Sequence, residues 1–449
     1  MHVVIIGAGE VGGYLAERLS AEGLDVVVIE SDPVRAAAVG NDLDVQVING
    51  SGSSPDVLIE AGIKRAGLLA AVTQNDEVNM IASLLAKQHG VETTVVRVET
   101  EGMRGRNAAA LLRAVGADVV VDPDAETADE ILELVHATGA DEVYPMADGE
   151  LVVIGAVVSD DAPLARRTLG EIGQSLGDDW NFLFGAITRD RETVIPRGDQ
   201  MLLAGDHVRV VCRASAKQEL LAMLGVSGHR ARRVMVLGGG AVGSRVAGRL
   251  QDEGVEVVLV ERDGATAAAL ADEYQRVLVV QGDVTDTELL LEESVGQMDA
   301  VVAATGEDSA NVLACAFAIA EGAGFTVAVL HRLALLPLVR RFGIDAALSP
   351  RTASTNAVLR AVRRDTTAVA TFLEEDSEVD EWEIARGSRA DGALVADLPL
   401  PKDILIGAMV RAGQEAQIVR GWTELQAGDH VVVFGRPNTL NVVKSVFVS

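Results

Sequence analysis

The residues near the start of the chain that are best suited to chemistry are three glycines. Gly7, Gly9 and Gly12 are set G-x-G-x-x-G behind the apolar run "VVII". They carry no reactive group; what they offer is bare backbone. Gly7 allows a tight turn, Gly9 lets backbone approach a diphosphate, and Gly12 lets a helix pack close to a strand. The helix opened by Glu10 and Val11 would aim free N–H groups and a partial positive charge at the phosphates. Glu30 ends the next apolar run, "VVVIE". A carboxylate there accepts hydrogen bonds from both ribose hydroxyls and repels a 2′-phosphate, which favours NAD(H) or another adenosine nucleotide over NADP(H). With glycine at about one residue in ten, such a triplet arises by chance in about one of two chains this long. The flanking strand and helix, and Glu30, give it weight.

Other polar positions fall where the same crevice would lie. The loop "NGSGSS" (49–54), with Ser51, follows the third strand-like run at the expected adenine edge. In "VTQNDEVN" (72–79), Thr73 and Asp76 have two readings, as caps of the helix that follows or as ligand contacts. Arg97 sits inside the run "TVVRV". A buried arginine needs an anion, so it either neutralises phosphate or pairs with an acid such as Glu99. Catalytic groups are harder to find. There is no G-x-x-x-x-G-K-[ST], H-E-x-x-H or G-x-S-x-G. His207 and His430 lie in "AGDHV", which reads as a turn entering a strand. Cys212 and Cys315 form no metal motif and read as small buried residues; no catalytic residue and no metal ligand is assigned. A nucleotide fold without a catalytic module reads as a sensor. The alternatives are an NAD-dependent Rossmann oxidoreductase whose active site is not recognised, and a scaffold with vestigial sites.

The elements that must position these residues are written twice. "VVIIGAGEVGGYLAERLSAEGLDVVVIESD" (3–32) recurs as "VMVLGGGAVGSRVAGRLQDEGVEVVLVERD" (234–263). The second copy supplies Gly238, Gly240, Gly243 and Glu261. Asp283 stands where Ser51 stood, and Thr305, Asp308 and Asn311 match Thr73, Asp76 and Asn79. Val329 aligns with Arg97, with His331 or Arg332 as alternatives if the register slips. The second site is therefore expected to be weaker or to take another ligand. "GAITRDRETVIPRGDQMLLAGDHVRVV" (185–211) also parallels "GAMVRAGQEAQIVRGWTELQAGDHVVVF" (407–434). In residues 1–138 and 232–366, β-branched runs alternate with Ala/Leu-rich helical patterns, which predicts a parallel sheet wound on both faces, a Rossmann-like N-lobe. In 139–226 and 367–449, alternating runs predict small α+β C-lobes. The segment "GVSGHRARR" (225–233) reads as a linker. The fold class is thus α/β, with two tandem Rossmann-like lobes each followed by an α+β lobe.

Composition bounds the partners. The chain has 449 residues, 67 acidic against 38 basic, for a formal charge of −29. That field repels polyanions, so nucleic acid is not expected as a partner. Only five of the bases are lysines. Two explanations stay open, adaptation to a high-salt cytoplasm and an arginine-rich genome. The longest apolar stretch (310–330) is interrupted by Glu321 and two glycines, and reads as helix, turn and strand rather than a membrane span. With no leader evident, a soluble cytoplasmic protein is expected.

The motifs "IIGAGEVGGYLAERL", "SGSSPDVLIEAGIKRAGLLAAVTQNDEVNM" and the twice-used "AGDHV", in this four-lobe order, resemble the TrkA family of regulatory subunits of Trk-type potassium uptake systems. The resemblance covers essentially the whole chain. It implies two RCK (KTN) units, and a homotetramer forming a ring of eight such units beneath a TrkH-type membrane channel. Membrane contact would come only through that channel, at the inner face of the cell membrane. It also implies that NAD(H), with ATP or ADP as further candidates, binds the N-lobes and changes their arrangement. The glycines, Glu30, the Thr-x-x-Asp turn and Arg97 fall where the family contacts its nucleotide. C-lobes of related proteins bind other small regulators, including cyclic dinucleotides. Helical segments such as "ADEILELV" (128–135) and "LSPRTASTNAVLRAVR" (348–363) join lobes and pack between units in such proteins; the alternative is packing on their own sheets.

Overall fold

The computed structural model describes residues 1–103, 106–177, 179–190, 192–226, 228–362, 366–371, 377–436 and 439–448. The chain divides into two compact units. One contains Met1–Glu126 with Arg351–Arg364, the other Thr127–Pro350 with Asp365–Ser449.

The six strand-like runs at the start form one parallel sheet. Its strands are β1 (His2–Ile6), β2 (Asp25–Glu30), β3 (Gln46–Asn49), β4 (Ala66–Ala71), β5 (Thr93–Arg97) and β6 (Val119–Val121), in the order β3-β2-β1-β4-β5-β6. The order reverses between β1 and β4, and ligands of open α/β sheets bind outside the strand ends at such a switch point. The β1 side chains are fully buried, as befits a strand covered on both faces. One face packs Val4, Ile6, Ile29, Leu69, Ala82 and Ala86 into a core. The helix Pro350–Val362, from Arg351 on, belongs to this unit and not to the sheet that precedes it in sequence.

The second unit holds three sheets. The first of them contains β7 (Glu142–Met146), β8 (Leu151–Val157), β9 (Phe182–Arg189), β10 (Glu192–Val194) and β11 (His207–Arg213), ordered β10-β9-β11-β8-β7 and antiparallel throughout. The next repeats the Rossmann-like pattern. β12 (Arg233–Leu237), β13 (Glu256–Glu261), β14 (Val277–Gln281), β15 (Ala300–Ala303), β16 (Thr326–Val329) and β17 (Ala346–Leu348) run parallel in the order β14-β13-β12-β15-β16-β17. The third contains β18 (Thr366–Thr371), β19 (Glu378–Glu383), β20 (Leu405–Val410), β21 (Gln417–Ile418) and β22 (His430–Gly435), in the order β18-β19-β22-β20-β21. Ile131, Leu132 and Val135, from the helix Pro123–Val135, share a core with Ile154, Val210, Val236 and Val246.

The two antiparallel sheets meet through Met146, Leu151, Val153 and Val211 on one side and Val379, Ala408, Val432 and Phe434 on the other. The repeated Gly-Ala pairs account for the closeness. A Cβ on Gly185 would stand 2.2 Å from the Phe434 ring, and one on Gly407 2.7 Å from Val211. The stretch 310–330 is the helix Asp308–Glu321, a left-handed Gly322 and β16. Among the described residues no helix is long and apolar enough to cross a membrane.

Candidate nucleotide-binding site

The first glycine turn has the geometry its spacing demands. Gly7 has φ +99°, a left-handed conformation that favours glycine. A Cβ on Gly12 would stand 1.9 Å from the Gly7 carbonyl oxygen, so the helix Glu10–Ala21 sits this close to the strand only with glycine there. A Cβ on Gly9 would meet nothing within 4 Å. The turn therefore leaves open space over Gly9, where backbone N–H groups of a helix start face a cleft.

That cleft is lined by Gly7, Gly9, Glu10, Val11, Glu30, Thr73 and Arg97, together with Asp32, Arg35, Asn75 and Arg351. Glu30 is only 6% exposed and braces the turn. Its Oε2 accepts the Ala8 N–H at 2.6 Å and its Oε1 the Asp32 N–H at 2.8 Å. The Ser31 hydroxyl also donates to Oε1 at 3.3 Å, and since a carboxylate has about four acceptor sites, this bracing leaves room for about one ribose hydroxyl. Asp32 accepts the Arg35 and Val34 N–H groups, which hold its carboxyl below the usual range. Arg97 has the acid partner that one reading called for, and it also lines the cleft. Its Nη2 pairs with Glu99, while its Nε is buried without a hydrogen-bond partner in a residue that lines the cleft. A guanidinium lining the same cleft as a helix start suits a phosphate.

Three of the assigned positions are not brought to the cleft. Gly12 acts behind it, in packing. Ser51 lies off it, bonded through its hydroxyl to Ser53. Asp76 is a correction, both as a contact and as a cap. It is buried, with Oδ1 accepting the Glu99 N–H at 2.8 Å and Oδ2 the Thr100 N–H at 2.9 Å. A carboxylate spent on backbone N–H groups after β5 is a clamp on the Arg97 strand. The cap of the helix Asp76–Gln88 is Asn75, whose side chain accepts the Val78 N–H at 2.8 Å. Thr73 does not cap it either. Its N–H and hydroxyl both donate to Asn79 Oδ1, and Asn79 Nδ2 donates to the Thr73 and Arg97 carbonyls at 2.9 and 3.0 Å. Asn79 is thus the cross-brace between the two loops. Its recurrence as Asn311 was the sequence signal for it.

The second copy repeats this frame with other charges. Gly238 has φ +107°, and a Cβ on Gly243 would stand 2.0 Å from the Gly238 oxygen. Glu261 accepts the Gly239 and Asp263 N–H groups at 2.7 Å each. Asn311 braces Thr305 and the Val329 carbonyl, which fixes the register and equates Val329 with Arg97. Val329 is buried and offers no charge. His331 and Arg332 do not replace it, because both hold Asp308, at 3.1 Å each through Nδ1 and Nε. Burial works against the Asp308 charge, but the His331 and Arg332 N–H groups outweigh it and hold the carboxyl below its usual range. Gly238, Gly240, Glu261, Asp283 and Thr305 line this cleft, with Glu307 and Arg262; Gly243 does not. Arg262 lies 3.5 Å from Glu307. Three carboxylates against one arginine disfavour a polyphosphate there.

The histidines of "AGDHV" stand at strand starts, with His207 2.9 Å from Asp141 and His430 2.9 Å from Glu381. The informative residue of the motif is its aspartate. Asp206 receives Arg189 at 2.6 and 2.7 Å, and Asp429 receives Arg411 at 2.7 Å twice. Asp141, Glu142 and His207 bring donor atoms within 4.8 Å of one another. There Arg209 already grips Glu142 at 2.7 and 2.8 Å, a cation where a metal would need the carboxylate. Cys212 and Cys315 are fully buried, and desolvation pushes both thiols up to about 12.

Comparison with known proteins covers both halves. Residues 3–141 and 234–350 match the TrkA-N domain, and residues 153–225 and 381–448 the TrkA-C domain. A Trk system potassium uptake protein TrkA homolog of Archaeoglobus fulgidus is 35% identical over 447 residues, covering 100% of both chains. The Trk system potassium uptake protein TrkA of Vibrio alginolyticus is 32% identical over 441 residues, covering 97% of this chain and 95% of its own. Among solved structures, the RCK domain of GsuK superposes with a TM-score of 0.60 at 18% identity, covering 99% of this chain and 94% of that one. The GsuK channel bound to NAD gives 0.60 at 18% identity, covering 99% and 78%.

Proposed function

The chain belongs to the TrkA family of Trk system potassium uptake proteins, and from that premise we propose that it is the cytoplasmic, nucleotide-sensing regulatory subunit of such a system. Its partner is a TrkH-type membrane channel at the inner face of the cell membrane. Its own assembly is a homotetrameric ring of RCK units, and the ligand of the first N-lobe is NAD(H), with ATP or ADP as further candidates. The observation that carries the reading is the first cleft. It sets a glycine turn, a helix start, Glu30 and Arg97 around one space, and the Arg97 Nε is buried without a hydrogen-bond partner. The GsuK channel of like fold, solved bound to NAD, is in keeping with it.

In this reading NAD(H) supplies binding free energy and not a hydride. The N–H groups after Gly9 and the Arg97 guanidinium hold phosphate, and Glu30 holds ribose. A ligand shifts an equilibrium only by its differential affinity for the two states. A tenfold preference per site is worth about 1.4 kcal/mol, so several sites in one ring move the population decisively.

The test is binding without turnover, joined to transport. NADH, NAD⁺, ATP, ADP and NADPH are titrated into the purified protein while oxidation of the reduced cofactors is followed. Saturable binding without consumption is expected, with NADPH weakest. Potassium flux through the partner channel should then depend on this subunit and on the nucleotide. Steady NADH consumption with a carbonyl compound would overturn the sensor reading in favour of an oxidoreductase.

A further inference from the structure

One cleft residue comes from more than 250 positions away from the others. Arg351 is the second residue of the helix Pro350–Val362, and its guanidinium pairs with the Glu10 carboxylate while lining the same cleft as Gly7, Gly9 and Arg97. Glu10 is the first residue of the helix whose N–H groups face the cleft. Alone, its carboxylate would repel a diphosphate laid over Gly9. Arg351 cancels that charge. A guanidinium has five donors in a rigid fork, enough to keep Glu10 and bind phosphate oxygens as well. The same helix is held to the first unit by a second ion pair, Arg360 to Glu126 at 2.8 Å. It is also continuous in the chain with β17, the last strand of the second parallel sheet.

We infer that Arg351 is a phosphate-sensing residue of the first cleft, binding the diphosphate of an adenosine nucleotide and so tightening the helix Pro350–Val362 onto the first lobe when ligand is bound. The inference rests on the nucleotide-sensing reading and adds the route by which the second half of the chain registers the ligand. Linkage makes the effect reciprocal: whatever factor ADP adds to docking of the helix, docking adds to ADP affinity. Arg351 acts on the phosphates only, so a ligand without them should be indifferent to it.

The experiment measures ADP and adenosine binding by calorimetry to the full-length wild type, Arg351→Ala, Arg351→Lys and Glu10→Gln. Hydrogen exchange of residues 350–362 is followed with and without ADP. Arg351→Ala should weaken ADP about tenfold or more, the loss of a charge-assisted pair, and leave adenosine unchanged. Arg351→Lys, which keeps the charge without the fork, should recover part of the loss. Glu10→Gln should bind ADP more tightly than wild type. ADP should protect 350–362 from exchange in wild type and not in Arg351→Ala. Wild-type ADP affinity in Arg351→Ala, or equal losses for ADP and adenosine, would overturn this inference alone. A wild type that binds no nucleotide would overturn it together with the reading beneath it.

Discussion

Gly9 and Gly12 stand in one turn, yet a methyl group added to each meets different surroundings. At Gly9 it enters open cleft, and at Gly12 it meets backbone oxygen at 1.9 Å. Gly9→Val is therefore expected to keep the wild-type melting temperature and lose ADP and NAD⁺ binding. Gly12→Ala is expected to lower stability by about 1–3 kcal/mol, the usual cost of overpacking. Denaturant unfolding and calorimetry on both variants would check the pair, and an unstable Gly9→Val with intact binding would refute the assignment. The motif assigns Gly9 to ligand approach and Gly12 to helix packing, and the surroundings of the two added methyl groups agree with that division. The buried thiols supply a second check at this scale. Cys212 and Cys315, raised to about 12 by burial, should resist a disulfide reagent at neutral pH in the folded protein and both react in denaturant.

At the scale of elements, the repeats in the sequence mark backbone clamps as often as binding groups. "AGDHV" recurs because Asp206 and Asp429 each close a turn. Asp206 accepts the Leu203 N–H at 2.8 Å beside Arg189, and Asp429 the Gln426 N–H at 2.8 Å beside Arg411. Asp206 is 1% exposed. Truncation to Ala strands the arginine and the Leu203 N–H, so Asp206→Ala should cost about 2–3 kcal/mol in chemical unfolding with nucleotide affinity unchanged. The two parallel sheets carry the same frame and opposite prospects, since Val329 replaces Arg97 and carboxylates crowd the second cleft. One tight ADP site per chain is expected. Gly9→Val should abolish it and Gly240→Val should not, and a stoichiometry of two equal sites would refute this.

For the whole molecule, a charge of −29 sets the terms. Like charges destabilise the compact state, and molar salt shortens their reach to about 3 Å. The melting temperature should rise by several degrees from low to molar KCl, and full stability at low salt would argue against adaptation to a salty cytoplasm. The duplication, the two parallel sheets and their glycine turns were legible in the sequence. Each rests on local rules: β-branched runs, helical spacing, and glycine where a turn forbids a side chain. Glu30 was legible for the same reason, since it ends the strand beside the turn. What depended on distant backbone was not legible. The Asp76 carboxylate, 23 residues from its partner at Glu99, looked like a cap or ligand contact until the end of β5 was seen against it. His331 and Arg332 looked available until the register committed them to Asp308. The segment 348–363 stood out as a helix that could join lobes or pack on its own sheet, but nothing in it marked Arg351 as a cleft residue. Its helix follows the second sheet in sequence but packs with the first unit, a choice made by the surface it buries and not by its order in the chain.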